Sequence, residues 1–211
     1  MIIAVDGPTA SGKGTIAAAI ARHLGLPHLD TGLLYRAVGW QTFRDGGDPD
    51  DSAAALAGTS FPDALLLDRH LRTEEVGSLA SRVSIHPAVR EALFTRQRAF
   101  AMQPGGAVLD GRDIGTVIAP DAEVKLFITA SVQERARRRW LEMRGRGVEI
   151  ALPEVERDIA RRDARDMNRA DAPLRPAHDA LILDTTSFNK EQAIEAAIEA
   201  VESRWSSIYN G

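Results

Sequence analysis

Gly7-Pro8-Thr9-Ala10-Ser11-Gly12-Lys13-Gly14-Thr15 carries the sharpest chemical signal in the chain. It satisfies the phosphate-loop spacing G-x-x-x-x-G-K, with Gly14 where a hydroxyl residue usually stands and Thr15 one place later. Glycines let successive backbone N–H groups approach an anion, and a helix that opens at the loop turns its positive end toward it. Lys13 would then reach the outer phosphates of a nucleoside triphosphate. The Thr15 hydroxyl would bind a phosphate oxygen, or hold Mg²⁺ directly or through water.

A second group of residues suits the same chemistry. Arg112 and Asp113 follow the apolar run 107–110, and Asp110 is a candidate outer anchor for Mg²⁺. Arg162, Asp166 and Arg169 stand at i, i+4 and i+7, on one helical face, with Arg161 and Arg165 on an overlapping stripe. On its own such a stripe reads as an ion-paired, solvated face. Beside a phosphate loop it supplies the fixed positive charges that phosphoryl transfer between two anions requires. An attacking phosphate oxygen is already anionic, so no strong general base is called for. The five histidines are scattered and are expected to be structural or exposed.

These groups need elements to hold them. The apolar runs Ile2 to Val5, His28 to Asp30, Ala107 to Asp110, Val124 to Thr129 and Ala180 to Asp184 read as buried strands. Between them lie helical patterns: Thr15 to His23, a helix capped by Thr31 and running to Phe43, Ser131 to Met143, and Pro153 to Asn168. A last helix carries Ile194, Ile198, Val201 and Trp205 on one face. Residues 52–103 read mainly as helical, with weak extended character at 64–67 and a break at His86-Pro87. Strands alternating with helices imply an open, largely parallel α/β sheet, with ligands beyond the carboxyl ends of its strands.

Composition narrows the field. The 211 residues fit one domain with room for an insertion, and 44% hydrophobic and 27% charged residues exclude a disordered or low-complexity chain. There is no cysteine, hence no disulfide, thiolate metal site or thiol nucleophile. The stretch Ile2 to Val5 is too short for a secretory signal and nothing approaches a membrane span, so a cytoplasmic protein is expected. The net charge, 26 − 30 = −4, opposes a nucleic-acid binder. Of the basic residues only Lys13, Lys125 and Lys190 are lysines; the rest are arginines, which grip phosphate bidentately. A GTPase would need Asp-x-x-Gly and Asn-Lys-x-Asp, and neither is present. A small phosphotransferase remains.

The chain resembles the bacterial cytidylate kinases, within the nucleoside monophosphate kinases, over nearly its whole length. The matching motifs are GPTASGKGT at 7–15, LDTGLLYR at 29–36, RTEEVGSLASRVSIHPAVREAL at 72–93, RQRAF at 96–100, DGRDIGTVIAPDA at 110–122 and RRDARDMNRADAPLRPA at 161–177. Gly14 in place of the hydroxyl residue is normal for that family. The resemblance implies one P-loop kinase domain over 1–211, a three-layer α/β/α fold on a mainly parallel five-stranded sheet. It also implies a monophosphate-binding insertion at 31–100 and a short lid at 141–153, which Gly145 and Gly147 would allow to move. Between Phe61 and Arg72 this chain is shorter than the family, so the small antiparallel sheet found there is expected to be truncated or absent.

The implied reaction moves the γ-phosphate of MgATP to CMP or dCMP, in a monomeric enzyme with no nucleic-acid or membrane partner. By the same resemblance Lys13, Arg36, Arg112 and Arg169 grip the acceptor and migrating phosphates. Ser81, Arg90 and Asp113 read cytosine, Thr31 lines that pocket, and Arg162 and Asp166 hold the sugar. The chemistry is coherent: a carboxylate accepts from the cytosine N4 amino group while a guanidinium donates to the neighbouring acceptors, and uracil reverses that edge. Two other readings stay open, a kinase for UMP or AMP and a noncatalytic nucleotide-binding protein.

Overall fold

The computed structural model describes residues 1–209. Ile2–Asp6 forms strand β1, buried in all but its first residue. A strand that apolar on both sides needs helices over each face of its sheet. It lies at the centre of a parallel sheet with His28–Asp30 (β2), Ala107–Gly111 (β3), Val124–Thr129 (β4) and Leu181–Asp184 (β5), in the order β2-β3-β1-β4-β5. The register sets Val5 opposite both Asp110 and Leu126, and Asp30 opposite Asp110. Asp6, Asp30 and Asp110 therefore emerge together at the carboxyl edge.

Lys13–Leu24 (α1) and Lys190–Tyr209 (α8) cover one face, where Ile16, Ile20, Ala197 and Val201 pack on Ile3, Val5, Leu126 and Ile128. On the other face Ala4 and Leu109 meet Ala101, Ile114 and Ile118, the last two from a π-helical turn at Ile114–Ile118. Between β2 and β3 the chain leaves the sheet as Thr31–Arg44 (α2), Ser52–Ala57 (α3), Glu74–Val83 (α4) and Pro87–Ala101 (α5). These helices enclose a second core of Leu34, Val38, Leu71, Val76, Val83, Val89 and Leu93. Val132–Gly145 (α6) and Leu152–Asn168 (α7) pair through Ala136, Met143, Val155 and Ile159. Their connecting loop is closed by Val148 N–H donating to Met143 O at 3.0 Å and Trp140 Nε1 donating to Ile150 O at 2.9 Å.

The parallel α/β sheet is as the strand and helix pattern predicts, and the α/β/α layering is as the resemblance implies; three local expectations are corrected. Asp63–Leu67 is a 3₁₀ turn rather than extended chain: Pro62 leads in, Leu65 alone is buried, and no strand lies alongside. The N-cap of α2 is Asp30, whose Oδ1 accepts from Leu33 N–H at 3.2 Å. Thr31 is already helical, and its hydroxyl donates to Asp110 O at 2.8 Å. Finally, β5 is an edge strand rather than a buried one, with Ile182 63% exposed, because only β4 pairs with it. Among the described residues no strand forms between Phe61 and Arg72.

Candidate active site

The phosphate loop runs from β1 into α1. Gly7 is obligatory, because a Cβ there would run into the Ile128 carbonyl of β4. Gly12 takes φ +86°, in the left-handed region that admits glycine without a steric penalty, and starts the helix at Lys13. Lys13 Nζ donates to Pro8 O at 3.4 Å, folding the side chain back over the loop. Burial first, and then the charge of Arg112, push its ammonium down to about 8, against the pull of Asp110 and Asp30. Ser11 Oγ is buried with no hydrogen-bond partner.

Around Lys13 the structure gathers guanidiniums from four elements. Arg36 on α2 donates through Nη1 to Leu71 O and Thr73 O, both at 2.8 Å, and so secures the turn into α4. Arg112, just beyond β3, donates through Nε to Asp166 Oδ2 at 2.8 Å and through Nη2 to Thr9 Oγ1 at 3.1 Å. Arg162 on α7 reaches Glu74 Oε2 at 3.2 Å and Asp158 Oδ2 at 2.8 Å. Arg139 on α6 also pairs with Glu74. Arg36 is pushed down to about 10 by burial and then by Arg162, Arg139 and Arg112, and Arg162 is lowered by burial. Guanidiniums packed this closely repel one another, which makes their surroundings favourable for an anion. Arg139, Arg162, Thr9 and Glu74 line a cavity of about 680 Å³ between α4, α6 and α7.

Gly77 makes the crowding possible. A Cβ on this residue of α4 would lie 2.9 Å from Arg36 Nη2 and 3.0 Å from Arg162 Nη1. Both guanidinium heads rest on bare helix backbone.

A second buried cluster adjoins the first. Asp113 pairs with Arg90 Nη2, and Arg90 Nε donates to Asp171 Oδ2 at 3.0 Å. Arg169 Nη2 stands 3.6 Å from Asp113 Oδ1, beyond hydrogen-bond reach, and has no hydrogen-bond partner. Arg169 Nε donates to Ala172 O at 2.6 Å. Arg90 also lies over the Tyr35 ring, 5.9 Å from its centroid. Ser81 Oγ on α4 is buried without a partner. The backbone that presents Asp113 is fixed by Asp6, whose two carboxylate oxygens accept from Ile114 N–H and Gly115 N–H, each at 2.8 Å.

The donor set also fits a divalent cation held through phosphate oxygens and water. Burial and the neighbouring Asp110 raise the Asp30 carboxyl, so two acidic groups face the loop beside Lys13. A Cβ on Gly14 would be 3.5 Å from Asp110 Oδ2, so the usual hydroxyl position looks straight at that carboxylate. Asp110 Oδ1 is in turn held 2.8 Å from His28 Nε2. Thr15, the expected metal-binding hydroxyl, is exposed on the outer side of α1 beside Ala18, Arg22 and His28. Among the described residues no three metal-ligating side chains cluster.

The structure thus brings Lys13 near Arg112, and Arg112 near Arg36 and Arg162, while Arg90, Asp113 and Arg169 form a second cluster and Asp166 is tied to Arg112 rather than to Arg162. Sequence reasoning missed Arg139, Glu74, Gly77, Tyr35, Asp6 and the pair Arg135–Asp163. Tyr35, Glu74, Gly77 and Asp163 lie within the matching motifs, but their residue types announce no chemistry, and only their contacts in the fold do.

Comparison with known proteins gives the family. The family described as "Cytidylate kinase" matches residues 3–203. A Methylobacterium sp. protein named "Cytidylate kinase" is 57% identical over 206 residues, covering 97% of this chain and 98% of its own. Proteins of the same name from Cereibacter sphaeroides and Methylocella silvestris are 55% and 52% identical, over 96% and 100% of this chain and 95% and 98% of theirs. The crystal structure of an uncharacterized protein from Eubacterium ventriosum shares the fold, with TM-score 0.55 at 16% identity over 98% of both chains. Matched by the family over almost all its length and more than half identical to several of its members, this chain belongs to the cytidylate kinase family.

Proposed function

We propose that the protein transfers the γ-phosphate of ATP to CMP or dCMP, giving ADP and CDP or dCDP. The observation that carries this reading is the meeting of a phosphate loop with the closely packed guanidiniums of Arg36, Arg112, Arg139 and Arg162, next to a buried carboxylate flanked by Arg90 and Arg169. The first arrangement suits two phosphate groups and the second a polar base edge.

An anionic oxygen of the acceptor phosphate attacks the γ-phosphorus as the bond to the β–γ bridging oxygen breaks, and ADP leaves with that electron pair. The loop N–H groups, Ser11 Oγ and Lys13 hold the donor phosphates. Arg36, Arg112 and Arg139 surround the migrating group and offset the charge on its equatorial oxygens. Asp110 is the residue that would hold Mg²⁺ through water, and the ion would supply further charge neutralisation there. Asp113 accepts from the cytosine N4 amino group, while Arg90 and Ser81 Oγ donate to its acceptor edge. Arg169 bridges base and acceptor phosphate, and Arg162 and Asp166 contact the sugar. Residues 31–100 form the acceptor-binding region, and the α6–α7 connection at 141–153 is the lid that excludes water.

A coupled ADP-release assay with CMP, dCMP, UMP, AMP and GMP in separate reactions tests the acceptor. Preference for the two cytidine nucleotides supports the reading. Preference for UMP or AMP overturns the pocket assignment, and no turnover with any acceptor leaves a binding protein.

Two further results are expected. Gly77→Ala adds helix propensity of about 0.5–1 kcal/mol, so its melting temperature should hold or rise. Its methyl displaces both arginine heads, and the same assay should show turnover reduced about tenfold. Wild-type turnover would mean that the Arg36–Arg162 spacing is not used. ATP affinity, followed by titration calorimetry, should weaken above about pH 8, because Lys13 loses its proton there in the free protein and with it the cation that the phosphates need. A flat profile to about pH 9.5 would contradict that role.

A further inference from the structure

Thr9 and Ala10, in the middle of the phosphate loop, are held by α6 and α7 rather than by the loop itself. Thr9 N–H donates to Asp163 Oδ1 at 3.2 Å, and Thr9 O accepts from Arg135 Nη1 at 2.9 Å. The same Nη1 pairs with Asp163 Oδ2 at 2.6 Å, and Arg135 Nε donates to Ala130 O at 2.9 Å. Arg135 and Asp163 are 4% and 6% exposed, so the pair is sealed from water. Next in the chain, Ala10 takes φ +59°, an unfavourable region for a residue with a Cβ, and packs on the α6–α7 core of Ala136, Met143, Val155 and Ile159. Such a conformation persists only where its surroundings over-determine it. Here two hydrogen bonds fix the peptides on either side of Thr9, and an apolar socket receives the next residue.

We propose that Arg135 and Asp163 are positioning residues for the phosphate loop, setting its N–H groups in the anion-binding arrangement before the triphosphate binds. The role rests on the reading of the loop as the ATP site. Both residues act through Thr9 and touch no substrate. Binding to a preset loop avoids the cost of ordering it, so their loss falls on the donor nucleotide and spares the acceptor.

The role is separable from folding, because a buried ion pair replaced by apolar groups of similar volume often leaves stability intact. The test compares wild type with the double variant Arg135→Met/Asp163→Leu, and with Asp163→Asn, which keeps an acceptor for Thr9 N–H but loses the charge opposite Arg135. ATP affinity is measured by calorimetry without acceptor, KM for CMP by steady-state assay, and folding by thermal melt. Expected are a folded double variant, ATP affinity reduced about tenfold, KM for CMP within about twofold of wild type, and a smaller ATP effect, about threefold, in Asp163→Asn. Wild-type ATP affinity in either folded variant overturns the proposal, as does an equal loss for ATP and CMP. Should the double variant fail to fold, Asp163→Asn decides alone. Failure of the wild-type protein to bind ATP would instead sink the functional reading, and the proposal with it.

Discussion

Arg112→Ala is expected to slow phosphoryl transfer about a thousandfold while ATP affinity stays within about threefold of wild type. The guanidinium joins α7 to the phosphate loop, with Nε on Asp166 and Nη2 on Thr9 Oγ1, and in the proposed reaction it faces the phosphates from beside the loop. Charge on the migrating group grows as the reaction proceeds, and a fixed cation there stabilises the transition state more than the ground state. Burial would depress the guanidinium, but Asp166 holds it above the ordinary range, so it stays charged throughout. Arg112→Lys should not restore the rate, since one ammonium cannot keep both bonds and still face the phosphates. Single-turnover measurements beside ATP calorimetry decide the matter. A parallel fall in affinity and rate would make Arg112 a binding residue only.

The second large effect concerns the acceptor. Asp113→Asn should reduce kcat/KM for CMP about a hundredfold and leave UMP unchanged or improved, since the amide presents a donor as readily as an acceptor. The carboxylate lies between Arg90 and Arg169, and both cations are buried with it. Some loss of melting temperature is therefore expected as well. It should stay below the roughly 3–5 kcal/mol of a fully orphaned buried charge, because Arg90 retains Asp171 at 3.0 Å. The ratio of kcat/KM between CMP and UMP is insensitive to that stability loss. An unchanged ratio would remove Asp113 from base reading.

How far the sequence reveals this site depends on how local each feature is. The phosphate loop is legible because its strand, glycines, lysine and helix are contiguous. The arginine face of α7 is legible as a face, but its partners are not: Arg112 meets Asp166 across 54 residues, and Arg90 meets Asp113 across 23. Arg135 and Asp163 look in the sequence like further members of a solvated charge run, and only their shared contact with Thr9 sets them apart. The sequence reading places the cap of α2 on Thr31, one residue late, because nothing local shows that the Asp30 carboxylate at the end of β2 turns back to Leu33 N–H. An apolar run such as Leu181–Asp184 predicts a strand but says nothing about how many neighbours it has. The assignment of Ser81 and Arg90 to base reading came from resemblance, and the unpartnered Ser81 hydroxyl now gives it a physical motive.

The Glu74 carboxylate on Arg139 and Arg162 changes what nucleotide binding means thermodynamically. These arginines already have a counter-ion, and it is tethered to the first turn of α4. A phosphate bound at these arginines, as the proposed function has it, would displace a side chain of the same molecule rather than ions drawn from solution, so binding at this end of the site would be an exchange of anions. Such an exchange releases few salt ions, and ionic strength then has less hold on it than the number of arginines implies.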